Sequence, residues 1–96
     1  MKKNITKTQW REITAGQAGF LIEKMNLKVK KDYTFTELPT IGQMIEFLGE
    51  DVDEISREYK GNKWGLGYGN LSGMRWFRKE LCDSLWQAVK YKVKKI

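Results

Sequence analysis

The C-terminal third of the chain constrains its fold most. Met74, Phe77, Leu81, Cys82, Leu85, Ala88, Val89 and Val93 recur at spacings of three and four, which on a helix places them on one stripe. Trp86 lies beside the stripe, and Arg75, Arg78, Lys79, Asp83, Gln87, Lys90 and Lys94 fall largely on the other side. Roughly eight buried side chains at about 1.5–3 kcal/mol each make a helix over residues 73–94 the main packing element. Ser72 is placed to cap it.

The rest of the chain must supply surfaces for that stripe. Trp10, Ile13, Gln17, Phe20, Leu21 and Met25 share one helical face, which predicts a helical region from Thr8 to about Asn26. Gly16 and Gly19 weaken it, so two short helices meeting near Gly16 are the alternative. Residues 1–7 read as a frayed basic leader. Thr40 precedes Gln43 by the capping-box spacing, and Ile41, Met44, Ile45 and Leu48 give the next helix its apolar face. Gly49 is placed to stop it, and Asp51 to cap a further short helix through Val52, Ile55 and Tyr59.

Two stretches escape helical periodicity. Residues 29–38 read as an extended link in which Tyr33 and Phe35 alternate with polar residues, closed by Pro39. Residues 60–73 carry five glycines. They read as a glycine-rich loop, or as a flat extended segment with Trp64, Leu66 and Tyr68 on one side. The expected fold is therefore mainly α: a single domain over 1–96, three to four helices packed around the C-terminal one. A short β-strand pair from residues 33–37 and 63–68 is the minor addition.

The net charge of +6 hides an uneven layout. Residues 1–31 hold eight basic and two acidic side chains, residues 32–59 one basic and eight acidic, and residues 60–96 nine basic and two acidic. The ends permit contact with nucleic acid and the middle opposes it. No apolar run approaches the roughly 18 residues of a membrane span, and no apolar signal core follows the first residues, so a cytoplasmic protein is expected. One cysteine excludes an internal disulfide.

Several kinds of chemistry lack their residues. There is no histidine, the commonest general base and metal ligand. Cys82 sits on the apolar stripe, where a core role is expected rather than a nucleophilic one. Glu46, Glu50, Glu54 and Glu58 recur every four residues, a spacing at which like charges repel on a helix. Three readings stay open for them: a solvated face, an acidic docking face for a cationic partner, or a Mg²⁺ or Ca²⁺ site. The last lacks calcium-loop spacing. Gly65-Leu66-Gly67-Tyr68-Gly69 is not followed by the Lys-Ser/Thr of an ATPase phosphate loop. The expectation is a protein without catalysis, cofactor or metal.

The candidate binding residues are Lys60, Lys63, Trp64, Tyr68, Arg75, Trp76 and Arg78, cations and aromatic rings on or beside the glycine-rich stretch. Rings stack bases while cations track phosphates, and the same residue types anchor protein interfaces. Core packing of Tyr68 and Trp76 is the plainer alternative. The basic end, Lys90 to Lys95, suits solvation at a helix C-terminus or phosphate contact.

Two blocks carry a resemblance. Leu38-Pro39-Thr40-Ile41-Gly42-Gln43-Met44-Ile45-Glu46-Phe47-Leu48-Gly49 and Glu80-Leu81-Cys82-Asp83-Ser84-Leu85-Trp86-Gln87-Ala88-Val89-Lys90 together resemble small uncharacterised accessory proteins of Bacteroidetes-type phages and prophages. The resemblance covers about a quarter of the chain and brings no catalytic residues. It implies a phage or mobile-element accessory protein inside a bacterium, one that binds and inhibits or modulates a host macromolecule. A nucleoprotein defence complex such as a CRISPR effector is one such target. The alternative is a direct nucleic-acid-binding protein using the basic ends and loop aromatics. The expected partner is a host protein or protein–RNA complex, with no membrane contact and with homo-oligomers allowed.

Overall fold

A computed structural model describes residues 2–30, 37–58, 61–69 and 74–95. Three of its helices start on the same device. Thr6, Thr14 and Thr40 each accept a hydrogen bond from the backbone N–H of the glutamine three residues on. That glutamine side chain, from Gln9, Gln17 and Gln43, accepts in return from the threonine's N–H. Each pair satisfies two N–H groups that a helix start otherwise leaves without partners. The helices are α1 (Lys7–Trp10), α2 (Ala15–Lys24) and α3 (Ile41–Leu48). The expected division of the first helical region is thus present, set by the cap at Thr14 rather than by Gly16. Asn26, at φ 53°, turns the chain out of α2, and Gly49, also at φ 53°, ends α3 in a conformation that favours glycine.

The mainly-α expectation is wrong, and the chain is α+β. After a single 3₁₀ turn (Gly49–Asp51), the chain enters a three-stranded antiparallel sheet of β1 (Val52–Glu58), β2 (Lys63–Tyr68) and β3 (Met74–Arg78), in that spatial order. The helix expected through Val52 and Ile55 is β1. Residues 63–68 of the glycine-rich stretch are β2, which pairs with β1 on one side and β3 on the other, so the strand expected over 63–68 is present but its partners are β1 and β3. Of the partner expected at residues 33–37, residues 33–36 lie outside the described residues, as do Tyr59 and Ser72. In register, Glu54, Gly67 and Arg75 form one row across the sheet, Ile55, Leu66 and Trp76 the next, and Ser56, Gly65 and Phe77 the one after, so the first and third share a face. A bulge between Val52 and Glu54 shifts β1 by one residue.

The long helix α4 is shorter than its stripe predicts. It spans Leu81–Lys94 and buries Leu81, Cys82, Ser84, Leu85, Trp86, Ala88, Val89 and Val93. Met74 and Phe77 belong to β3 instead, where successive side chains point to opposite faces. The helical spacing of Phe77 to Leu81 bridges two elements and has no structural meaning. The core joins α4 to Leu66 of β2 and to Leu21, Met25, Leu27, Met44 and Leu48 from the helical side.

The basic leader is tied down rather than frayed. Ile5 N–H donates to the Pro39 carbonyl at 3.2 Å and Ile41 N–H to the Lys3 carbonyl at 3.0 Å, with Ile5 itself 1% exposed. Lys2 reaches α4, its ammonium on Asp83 and its N–H on Glu80. Among the described residues no helix is long and apolar enough to cross a membrane.

Candidate functional site

The central strand sets the shape of the sheet's open face. Trp64, Leu66 and Tyr68 alternate toward α4, so Gly65 and Gly67 face the other way. A β-carbon at Gly65 would lie 2.9 Å from Phe77 Cε1 and 3.0 Å from Ser56 Oγ. Only a glycine lets the Phe77 ring lie across β2. There the ring stays 40% exposed, a large apolar group on a face that no described helix covers. In the next row on that face Arg75 and Glu54 reach over Gly67 and pair at 3.3 Å, both about half exposed. Lys63, exposed at the start of β2, stands in register with Glu58. The open face therefore holds one aromatic ring beside an ion pair, with an acid contributed by β1 and cations by β2 and β3.

This arrangement splits the candidate residues into two groups. Lys63 and Arg75 reach the open face. Trp64, Tyr68 and Trp76 pack against the core on the other face. Tyr68 meets Trp76 and Tyr91 nearly edge-on, with ring centroids 5.9 and 5.2 Å apart, and Trp76 lies 5.6 Å from Tyr91. Burial is the main cause that pushes the Tyr68 hydroxyl's pKa above its usual value, with Asp51 and Tyr91 adding to it. Trp64 carries the Arg57 guanidinium over its ring at 5.3 Å, and its carbonyl accepts the Ser84 hydroxyl at 2.8 Å. The rings of Tyr68 and Trp76 hold the sheet on α4 through Tyr91, the packing that the plainer reading expects of them. Arg78 is exposed at the end of β3, where it donates to the Phe77 carbonyl at 2.8 Å. Lys60 lies outside the described residues.

The acidic row does not form one helical face. Glu46 is on α3, Glu50 in the 3₁₀ turn and Glu54 on β1, so the element changes twice along it. The side chain of Glu58 lies outside the described residues. Among the described residues no three acidic or cysteine side chains converge as metal ligands would. Cys82 is fully buried, and burial pushes its thiol up to about 11.

Phe77 is the site residue that helical periodicity conceals. Its signal was a period of two: Gly65 and Gly67 alternate with large residues on β2, as Arg75 and Phe77 alternate with Trp76 on β3. A second concavity, an open cleft of about 700 Å³, lies among Phe20, Lys24, Gln43, Glu46, Phe47 and Lys92. Its cations are engaged within the chain. Lys92 bonds Asp51 and the Phe47 carbonyl, both at 2.8 Å, and Lys24 lies 5.6 Å from the Phe20 ring centre. No protein-family model, curated protein or solved structure matches this chain.

Proposed function

We propose that the chain is a non-catalytic binding protein that docks on another protein through the open face of its sheet. The observation that carries this reading is Phe77, 40% exposed over Gly65 and flanked by the Arg75–Glu54 pair. An aromatic or arginine anchor within a polar rim is the usual composition of a protein interface. With the two resembling blocks, this supports a phage or mobile-element accessory protein in the bacterial cytoplasm that inhibits or modulates a host complex. A nucleoprotein defence complex such as a CRISPR effector fits, with contact made to its protein part.

Direct nucleic-acid binding is the weaker reading for a local reason. The rings expected to stack bases are on the covered face.

The test is affinity purification of the full chain from the bacterium that carries it, with and without nuclease, beside the Phe77→Asp variant. A stoichiometric protein that survives nuclease and is lost with Phe77→Asp supports the reading. Recovery of nucleic acid alone, or equal recovery by the variant, contradicts it.

A further inference from the structure

We infer that the outer edge of β3 is a strand-addition site for an extended acidic segment of the partner protein. The inference rests on the docking reading above and names its mode. In an extended strand the backbone groups of successive residues point to alternate sides. Gly69 N–H donates to the Asp51 carbonyl at 2.7 Å, so the odd-numbered residues of β2 bond toward β1 and Leu66 and Trp64 bond toward β3. Their partners in register are Trp76 and Arg78, which leaves the backbone groups of Arg75 and Phe77 directed outward. A second observation agrees: the Phe77 carbonyl accepts the Arg78 guanidinium at 2.8 Å, the place an added strand's N–H would take. Among the described residues no strand pairs beyond β3.

Charge selects the occupant. From Met74 to Lys79 the chain carries Arg75, Arg78 and Lys79 and no acid, and all three are exposed. Two copies of this edge side by side would gather six cations along one seam, so a second copy is disfavoured. An acidic strand is favoured, and β1 already shows the pairing, with Glu54 reaching Arg75 across Gly67. Residues directly opposite in an antiparallel pair project to the same face. The added strand therefore places an apolar residue opposite Phe77 and, two residues later, a carboxylate opposite Arg75, whose guanidinium keeps donors beyond the one on Glu54.

The probe is a fluorescein-labelled peptide in which valine and glutamate alternate with threonine, titrated into the full chain by anisotropy and by amide hydrogen exchange. The inference expects binding that protects the amides of Arg75 and Phe77 while that of Trp76, already bonded inward, stays as it was. Glutamine in place of the peptide's glutamate, or Arg75→Gln in the protein, should each weaken binding about tenfold, the size of one charge-assisted pair. Arg75→Gln removes the charge at an exposed position and leaves the core intact, and Phe77→Ala provides a second variant that should also weaken binding. Equal affinity for the glutamine peptide, no protection at Arg75 and Phe77, or the same protection appearing without peptide as the chain self-associates would each overturn the inference. A host protein that is captured through Phe77 while the peptide fails would overturn strand addition alone. Loss of both would overturn the docking reading as well.

Discussion

The indole N–H of Trp86 donates to the carboxylate of Glu12 at 2.9 Å, and Lys90 adds a second bond to the same oxygen at 3.1 Å. Glu12 follows the short helix α1, while Trp86 is fully buried in the middle of α4. One carboxylate thus ties the N-terminal turn to the main helix and satisfies a polar group that burial would otherwise strand. Glu12→Ala should cost about 1–3 kcal/mol, the usual penalty for an unsatisfied buried donor. Glu12→Gln, which can still accept, should cost less. Urea unfolding of both variants measures the difference.

The same pair makes stability sensitive to acid. The Trp86 hydrogen bond, ahead of Lys90, holds Glu12 below its usual 4.5 despite some burial. At Asp83 partial burial pushes upward, but hydrogen bonds from Lys2 and Gln9 outweigh it and hold the group below its usual 3.8. A depressed folded value adds stability above the ordinary carboxylate range and loses it as pH falls through the folded value. Unfolding free energy should therefore be level near neutrality and decline below about pH 4.5. The decline should be shallower in Glu12→Gln, as a series of denaturant titrations across pH will show.

Ile5 makes the leader structural. It is 1% exposed and belongs to the main core cluster, so Ile5→Ala should cost about 2–5 kcal/mol. A thermal shift no larger than that of an exposed substitution such as Lys7→Ala would contradict the packing described.

Gly65 separates shape from stability. An added β-carbon meets mainly the far edge of the exposed Phe77 ring, which can swing away. Gly65→Ala should therefore leave stability within about 1 kcal/mol of the parent while lifting the ring off β2. Loss of the nuclear Overhauser contact between the Phe77 ring and Gly65 checks the movement, and weaker partner capture checks its consequence.

The sequence was most legible where one element carried its own signal. The stripe from Leu81 to Val93 is helix, and Thr40 with Gln43 caps α3 as its spacing predicts. The same Thr-x-x-Gln spacing recurs at Thr6 and Thr14, where the sequence expectation places no cap and instead begins the region at Thr8 and divides it near Gly16. The sheet was hidden because its evidence is shared among strands. Glu54 and Arg75 become neighbours only through Gly67, and Val52 and Ile55 fit a helical spacing as well as a strand interrupted by a bulge. Trp64, Tyr68 and Trp76 looked like exposed anchors because nothing local says that Tyr91, far along the chain, packs against two of them. Phe77 was assigned to the core for the converse reason: its spacing to Leu81 matched a helix that begins only after it.

The central claim, that Phe77 on the open sheet face touches a protein, is tested most directly by photocrosslinking. The full chain with p-benzoylphenylalanine in place of Phe77 is irradiated in a bacterial host of the kind proposed above, with the same residue at exposed Lys7 as control. The account predicts a discrete protein adduct from position 77 that survives nuclease and is absent from position 7. An adduct that nuclease removes, or identical patterns from both positions, would contradict it.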